Sequence, residues 1–115
     1  MGQGKPYQVI VTRPATSRYQ QSVLHYLYDN FSFDRAYEID AKILKMVKTL
    51  GLNPHRGRKE AYLQGLKKVF RFILFKETKN FELKIIYFIN EAADIVYVTD
   101  FFPTKMNPAR IRENN

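Results

Sequence analysis

Residues 68–102 read KVFRFILFKETKNFELKIIYFINEAADIVYVTDFF, and this stretch decides the fold. Three runs within it, KVFRFILFK (68–76), ELKIIYFI (82–89) and IVYVTDFF (95–102), are rich in β-branched and aromatic side chains, which suit a pleated, half-buried surface. Between them, residues 77–80 (ETKN) and 90–94 (NEAAD) have the length and polarity of hairpin loops. Three strands so closely joined predict an antiparallel meander. Pro103 and Pro108 end it, and a last helical turn is expected from Pro108. In the first run both alternating sets are apolar, Phe70/Phe72/Leu74 and Val69/Arg71/Ile73/Phe75, as in a strand covered on two faces. Arg71 breaks its set, and Lys84 breaks the set it shares with Ile86 and Phe88 in the next run. If Phe70, Phe72 and Leu74 face the helices, Arg71 projects into an opposite, concave, semi-apolar face suited to a phosphate or an acidic peptide. Pairing of Arg71 with Glu82 or Asp100 is the competing expectation.

Upstream the period changes. Residues 7–12 (YQVIVT) read as a short strand introduced by Pro6. Residues 13–17 (RPATS) then supply turn and N-cap chemistry. Tyr19, Val23, Tyr26, Leu27 and Phe31 recur at helical spacing, with His25 off the stripe and on the surface. A second helix, capped by Ser32 or Asp34, has Ala36, Ile39, Ile43, Met46 or Val47, and Leu50 as its apolar face, with Lys42, Lys45 and Lys48 outward. Gly51 is expected to close it in the left-handed conformation, and Asn53-Pro54 prevents its continuation. The short link between the helices predicts an antiparallel hairpin. The sum is one domain over residues 1–115: a two-layer α+β fold with an N-terminal strand, a helical hairpin, and a three-stranded antiparallel meander packed on the helices.

At 45% hydrophobic residues the chain is apolar enough to bury a core despite a net charge of +8. The absence of cysteine excludes a disulfide framework, a thiolate zinc site and thiol catalysis; with two histidines and no paired carboxylates, no metal or cofactor is expected. No run resembles a signal peptide or a membrane span, and Pro6 stands where a myristoylation motif wants Ser or Thr, so a cytoplasmic protein is expected. The charge is clustered: residues 53–84 carry nine Lys/Arg against three Asp/Glu. Such a segment attracts polyanions, whether nucleic acid or an acidic protein.

Taken in order, the strand YQVIVT, the helix RPATSRYQQSVLHYL (13–27), and the second helix ending KTLGLNPHRGR (48–58) resemble the RelE/ParE toxin superfamily of bacterial type II toxin–antitoxin systems, which includes plasmid stabilisation proteins. In the last, Leu50, Pro54, Gly57 and Arg58 fit an "L…P..GR" pattern. The strands KKVFRFILF (67–75), LKIIYFI (83–89) and VYVTDFFPTKMNP (96–108) continue the likeness. The resemblance implies a toxin held in a hetero-oligomer by a cognate antitoxin, whose acidic, amphipathic segment wraps it. It further implies RNA binding and ribosome-dependent cleavage of mRNA, with Arg71 at the central-strand position and Lys84 and Lys76 adding catalytic charge. Arg56, Arg58, Lys59, Lys67, Lys68, Tyr97, Phe101 and Lys105 are the candidate contacts to RNA or antitoxin.

One departure matters. Where the family carries a catalytic His or Tyr, this chain has Phe101-Phe102-Pro103, and phenylalanine transfers no proton. Tyr97 lies too early, Tyr87 is expected in the core, and His55 reaches a site only if its loop folds over. A gyrase-binding toxin of the ParE kind, without catalytic residues, is therefore the alternative, and a degenerate RNA-binding member a third.

Overall fold

The computed structural model describes residues 6–115; residues 1–5, on which the reading of the lipid-anchor motif partly rests, lie outside it. β1 (Gln8–Val11) leads into an unbroken helical run made of α1 (Arg13–Arg18), a π-turn (Tyr19–Leu24) and α2 (His25–Asn30). The N-cap is Thr12, whose Oγ1 accepts from Ala15 N (3.4 Å), one residue before the expected stretch. Pro14 thereby falls in the first turn, where its missing N–H goes unused. Ser32 caps α3 (Phe33–Thr49), accepting from Arg35 N at 3.1 Å, and Asp34 adds a negative charge at that helix N-terminus. Among the described residues no helix is long and apolar enough to cross a membrane.

Gly51 follows α3 for a reason other than the expected one. Its φ is not positive; Tyr7 N donates to Gly51 O (2.8 Å), and a Cβ on Gly51 would stand 2.6 Å from Tyr7 O. The close approach of the segment entering β1 requires the glycine.

The sheet is mixed and five-stranded, in the order β1-β5-β4-β3-β2. β3 (Arg71–Thr78), β4 (Phe81–Asn90) and β5 (Ile95–Pro103) pair antiparallel in succession, while β1 lies parallel to β5 with Gln8 opposite Ile95. The strand unforeseen from the sequence is β2 (Arg58–Lys59), which pairs antiparallel with the start of β3, Lys59 opposite Arg71. Being two residues long, it carries no alternation to read, and among the described residues no strand pairs with β3 beyond Phe72 on that edge.

The helices bury Val23, Leu27, Ala36, Ile39, Ile43 and Leu50 against Phe75, Leu83, Ile85, Tyr87, Val96 and Val98. Between β4 and β5 the register shifts, Ile86 facing Asp100 but Tyr87 facing Val98. The bulge at Thr99 flips the alternation, so Phe101 joins Val96 and Val98 under the helices while Phe102 points the other way. On that second face, Leu63 and Ile111 arrive from two short 3-10 segments (Ala61–Leu63 and Pro108–Glu113) and pack with Phe70, Ile86 and Phe102. The face expected to be open is thus partly closed by the chain itself.

Arg18 and Asp100 tie the C-terminal segment to this frame. Arg18 Nε donates to Asp100 Oδ1 (3.0 Å), both side chains are almost fully buried, and Arg18 Nη2 also reaches Arg110 O and Glu113. Burial pushes the Asp100 carboxyl upward, and the bonds from Arg18 and Asn114 counter this only in part. Replacing Arg18 by Met should therefore destabilise the protein by about 3–5 kcal/mol in urea unfolding, because it strands a buried carboxylate. The double change Arg18→Met/Asp100→Leu should recover much of that loss.

Candidate polyanion-binding cleft

The construction of the site starts at Tyr87, fully buried in β4. Its hydroxyl donates to Pro54 O (2.5 Å) and accepts from Gly57 N (3.1 Å), so one side chain grips both ends of the turn PHRG. Burial raises the Tyr87 pKa against the lowering effects of the Gly57 bond and of Arg71 and Arg56, which keeps the hydroxyl protonated as donor. A Cβ on Gly57 would collide with Tyr87 Oη and lie 2.8 Å from Phe72 O, so only glycine fits. Arg71 Nη1 adds a bond to Gly57 O (2.9 Å), and β2 fastens the next residues to β3.

These bonds fold the loop over the ends of β3 and β4. His55 Nε2 comes to 2.7 Å from Glu91 Oε2, and Tyr7 Oη donates to Glu91 Oε1 at 2.6 Å. The bonds from Tyr7 and His55 hold the Glu91 carboxyl below its ordinary range; the same hydrogen bond to Glu91 raises Tyr7. Beside this trio opens a cleft of about 580 Å³ lined by His55, Lys59, Lys67, Lys68, Arg71 and Glu91, with Phe88, Val69, Ile89 and Asn90 as its less charged wall. Lys68 Nζ lies 4.5 Å from the centre of the Phe88 ring, and Phe88 in turn stacks on Tyr97. Four permanent cations against one carboxylate make the cleft electropositive.

Arg71 reaches the cleft from the face opposite to the one expected. Ile73 and Phe75 face the helices, as does Glu77, which is bonded by Arg35 and Lys42 of α3. Arg71 shares their side of β3 at the end where the Pro54–Gly57 turn, rather than a helix, covers the sheet. Phe72, Leu74 and Lys76 take the other side, correcting the premise that Phe70, Phe72 and Leu74 meet the helices. Neither expected partner holds Arg71, since Asp100 pairs with Arg18 and Glu82 lies opposite Lys76.

The three-cation catalytic set is consequently not assembled. Lys84 stands on the second face, its Nζ 2.9 Å from both oxygens of the fully buried Glu60 and 4.5 Å from the Phe72 ring centre. Lys76 is exposed further along β3. Phe101 is no surface contact either: it is buried against Tyr19, ring centres 4.8 Å apart. The remaining candidates divide. Lys59, Lys67 and Lys68 join Arg71; Tyr97 backs the cleft through Phe88; Arg56 and Arg58 flank a separate hollow of about 320 Å³ with Phe72, Ile73 and Leu74. Lys105 lines a third, of about 390 Å³, with Arg110, Tyr26 and Ser22 of the π-turn.

Sequence reasoning missed Tyr7, Glu60 and Glu91. Glu91 reads as a loop residue, and its only signal is its place directly after the last residue of β4. Among the described residues no three His, Cys, Asp or Glu side chains gather as a metal-holding group. No family model, curated protein or solved structure matches the chain.

Tyr87→Phe tests the anchor. Losing both partners of a buried hydroxyl should cost about 1–3 kcal/mol, and amide exchange at Gly57 should accelerate selectively over that of the β4–β5 core. Lys84→Met should destabilise by about 3–5 kcal/mol by isolating Glu60.

Proposed function

We propose that this chain is the toxin of a type II toxin–antitoxin system, a ribosome-dependent mRNA endoribonuclease neutralised in the cytoplasm by an acidic antitoxin. The observation that carries the reading is the cleft, where Lys59, Lys67, Lys68 and Arg71 line the walls together with the His55 imidazole. The resemblance of the chain to RelE/ParE toxins supports the biological setting. The His55 imidazole, a group able to transfer a proton, lines the same cleft as Arg71 and supports the reading. Cleavage of RNA through its own 2′-hydroxyl needs such a group and cations for the crowded, charged phosphorus. The antitoxin reading draws on charge: an extended acidic segment would meet Arg56 and Arg58 beside the unpaired edge of β3.

A second reading, a ParE-like inhibitor of DNA gyrase without catalytic residues, is favoured by one observation. Lys84 is locked to Glu60 and Lys76 is exposed further along β3, so the catalytic set of Arg71, Lys84 and Lys76 implied by the family likeness does not form.

Induced expression with and without an adjacent antitoxin gene separates the readings. The endoribonuclease reading expects growth arrest and cuts in translated mRNA mapped by primer extension, abolished by Arg71→Ala. Double-strand breaks and lost supercoiling with intact mRNA would replace it with the gyrase reading. In RNA-binding titrations against salt, each of Lys59→Ala, Lys67→Ala and Lys68→Ala that removes a phosphate contact should flatten the log–log slope by about 0.7.

A further inference from the structure

Resting on the endoribonuclease reading, we propose that His55 is the general base of the cleft, with Glu91 as the residue that sets its tautomer. A carboxylate only accepts hydrogen bonds. Tyr7 Oη donates to Glu91 Oε1, and Glu91 Oε2 faces His55 Nε2 at 2.7 Å. The ring proton therefore belongs on Nε2, and Nδ1 is left with its lone pair. This is the arrangement by which a carboxylate orients an imidazole in nucleophile-activating triads, built here from a loop, the end of a strand and the residue before β1.

Position and exposure distinguish this imidazole from Tyr87, Lys84 and His25. It is about half exposed (52%) and borders the cleft, whereas Tyr87 is sealed and Lys84 is tied to Glu60. The second histidine, His25, lies on α2, outside the cleft, 3.1 Å from Asp29. Base and phosphate clamp also share one rigid unit, since Arg71 Nη1 is bonded to Gly57 O, two residues from His55. The rest of the guanidinium donors have no partner among the described residues and can turn to a phosphate.

The reaction balances without a cofactor. The ribose 2′-hydroxyl gives its proton to His55 Nδ1 as its oxygen attacks phosphorus; the bond from phosphorus to the 5′-oxygen breaks, and that oxygen takes a proton from water. The products are a 2′,3′-cyclic phosphate and a 5′-hydroxyl end, and His55 returns its proton to solvent. A 2′-deoxy nucleotide at the cut position cannot react.

The test uses the full chain in a reconstituted translation mixture programmed with one reporter mRNA, alongside anisotropy binding of a fluorescein-labelled RNA of the same sequence. His55→Ala should cut about 100-fold more slowly, within the range of a lost general base, while binding RNA within two-fold of the unmodified chain. Added imidazole should restore part of the rate, a rescue that a merely structural histidine does not show. Cut ends should carry the cyclic phosphate. Glu91→Ala should slow cutting without weakening RNA binding, since it removes the one negative charge lining the cleft, and Glu91→Asp should recover part of the lost rate. Wild-type cutting by His55→Ala overturns the assignment and leaves the endoribonuclease reading standing, as does a loss that imidazole fails to rescue in a variant of unchanged melting temperature. A His55→Ala protein with lowered melting temperature is replaced by His55→Gln, for which the same two outcomes decide. An unmodified chain that never cuts the mRNA removes the endoribonuclease reading itself.

Discussion

The Tyr87 hydroxyl is the constraint on which the cleft depends. A phenol buried in β4 satisfies one carbonyl and one amide of the turn and so pins both its ends to the sheet. Residues 52–57 lack an apolar stripe, and only Pro54 and Gly57 of the turn are buried, so hydrophobic burial alone would hold the turn weakly. The two bonds act in a water-poor setting, where leaving either group unpaired costs more than the bond contributes in water. Glycine at 57 is the steric counterpart of the same contact. From this pin follow the approach of His55 to Glu91, the bond from Arg71 to Gly57, and the short β2 pairing that brings Lys59 to the rim.

Charge is sorted by the fold as much as by composition. Glu60–Lys84 and Arg18–Asp100 are ion pairs in which one or both members are buried, and they fasten the two short segments that close the second face. Arg35 and Lys42 converge on Glu77, where their pairing outweighs the opposing effect of burial and lowers that carboxyl. With these cations engaged, the excess left on the basic segment concentrates where β3 begins. The cleft there is rimmed by lysines, and Lys68 lies over the Phe88 ring that forms part of its wall.

The π-turn at Tyr19–Leu24 is a third point where local geometry serves position. It sits where Tyr19 must both pack on Phe101 and bond Asp40 of α3, a contact that, with burial, raises the tyrosine far above its ordinary range. Tyr19 and Leu27, at the start of the π-turn and beyond its end, are both buried in the core between helices and sheet.

Periodicity by itself determined the strands of residues 71–102 and the apolar faces of the helices, because burial on one side imposes that pattern on neighbouring residues, while the choice between Ser32 and Asp34 as cap is made by the structure, for Ser32. What periodicity could not determine is long-range. The Thr99 bulge reverses which of Phe101 and Phe102 faces the helices, and nothing in the run VYVTDFF marks the extra residue. The face on which Arg71 emerges depended on which of two apolar sets in β3 met the helices, and both sets were apolar. The pairing of His55 with Glu91 joins residues 36 positions apart and depends on the Tyr87 hydroxyl of β4 holding the His55 turn, and only the tertiary structure decides where that hydroxyl points.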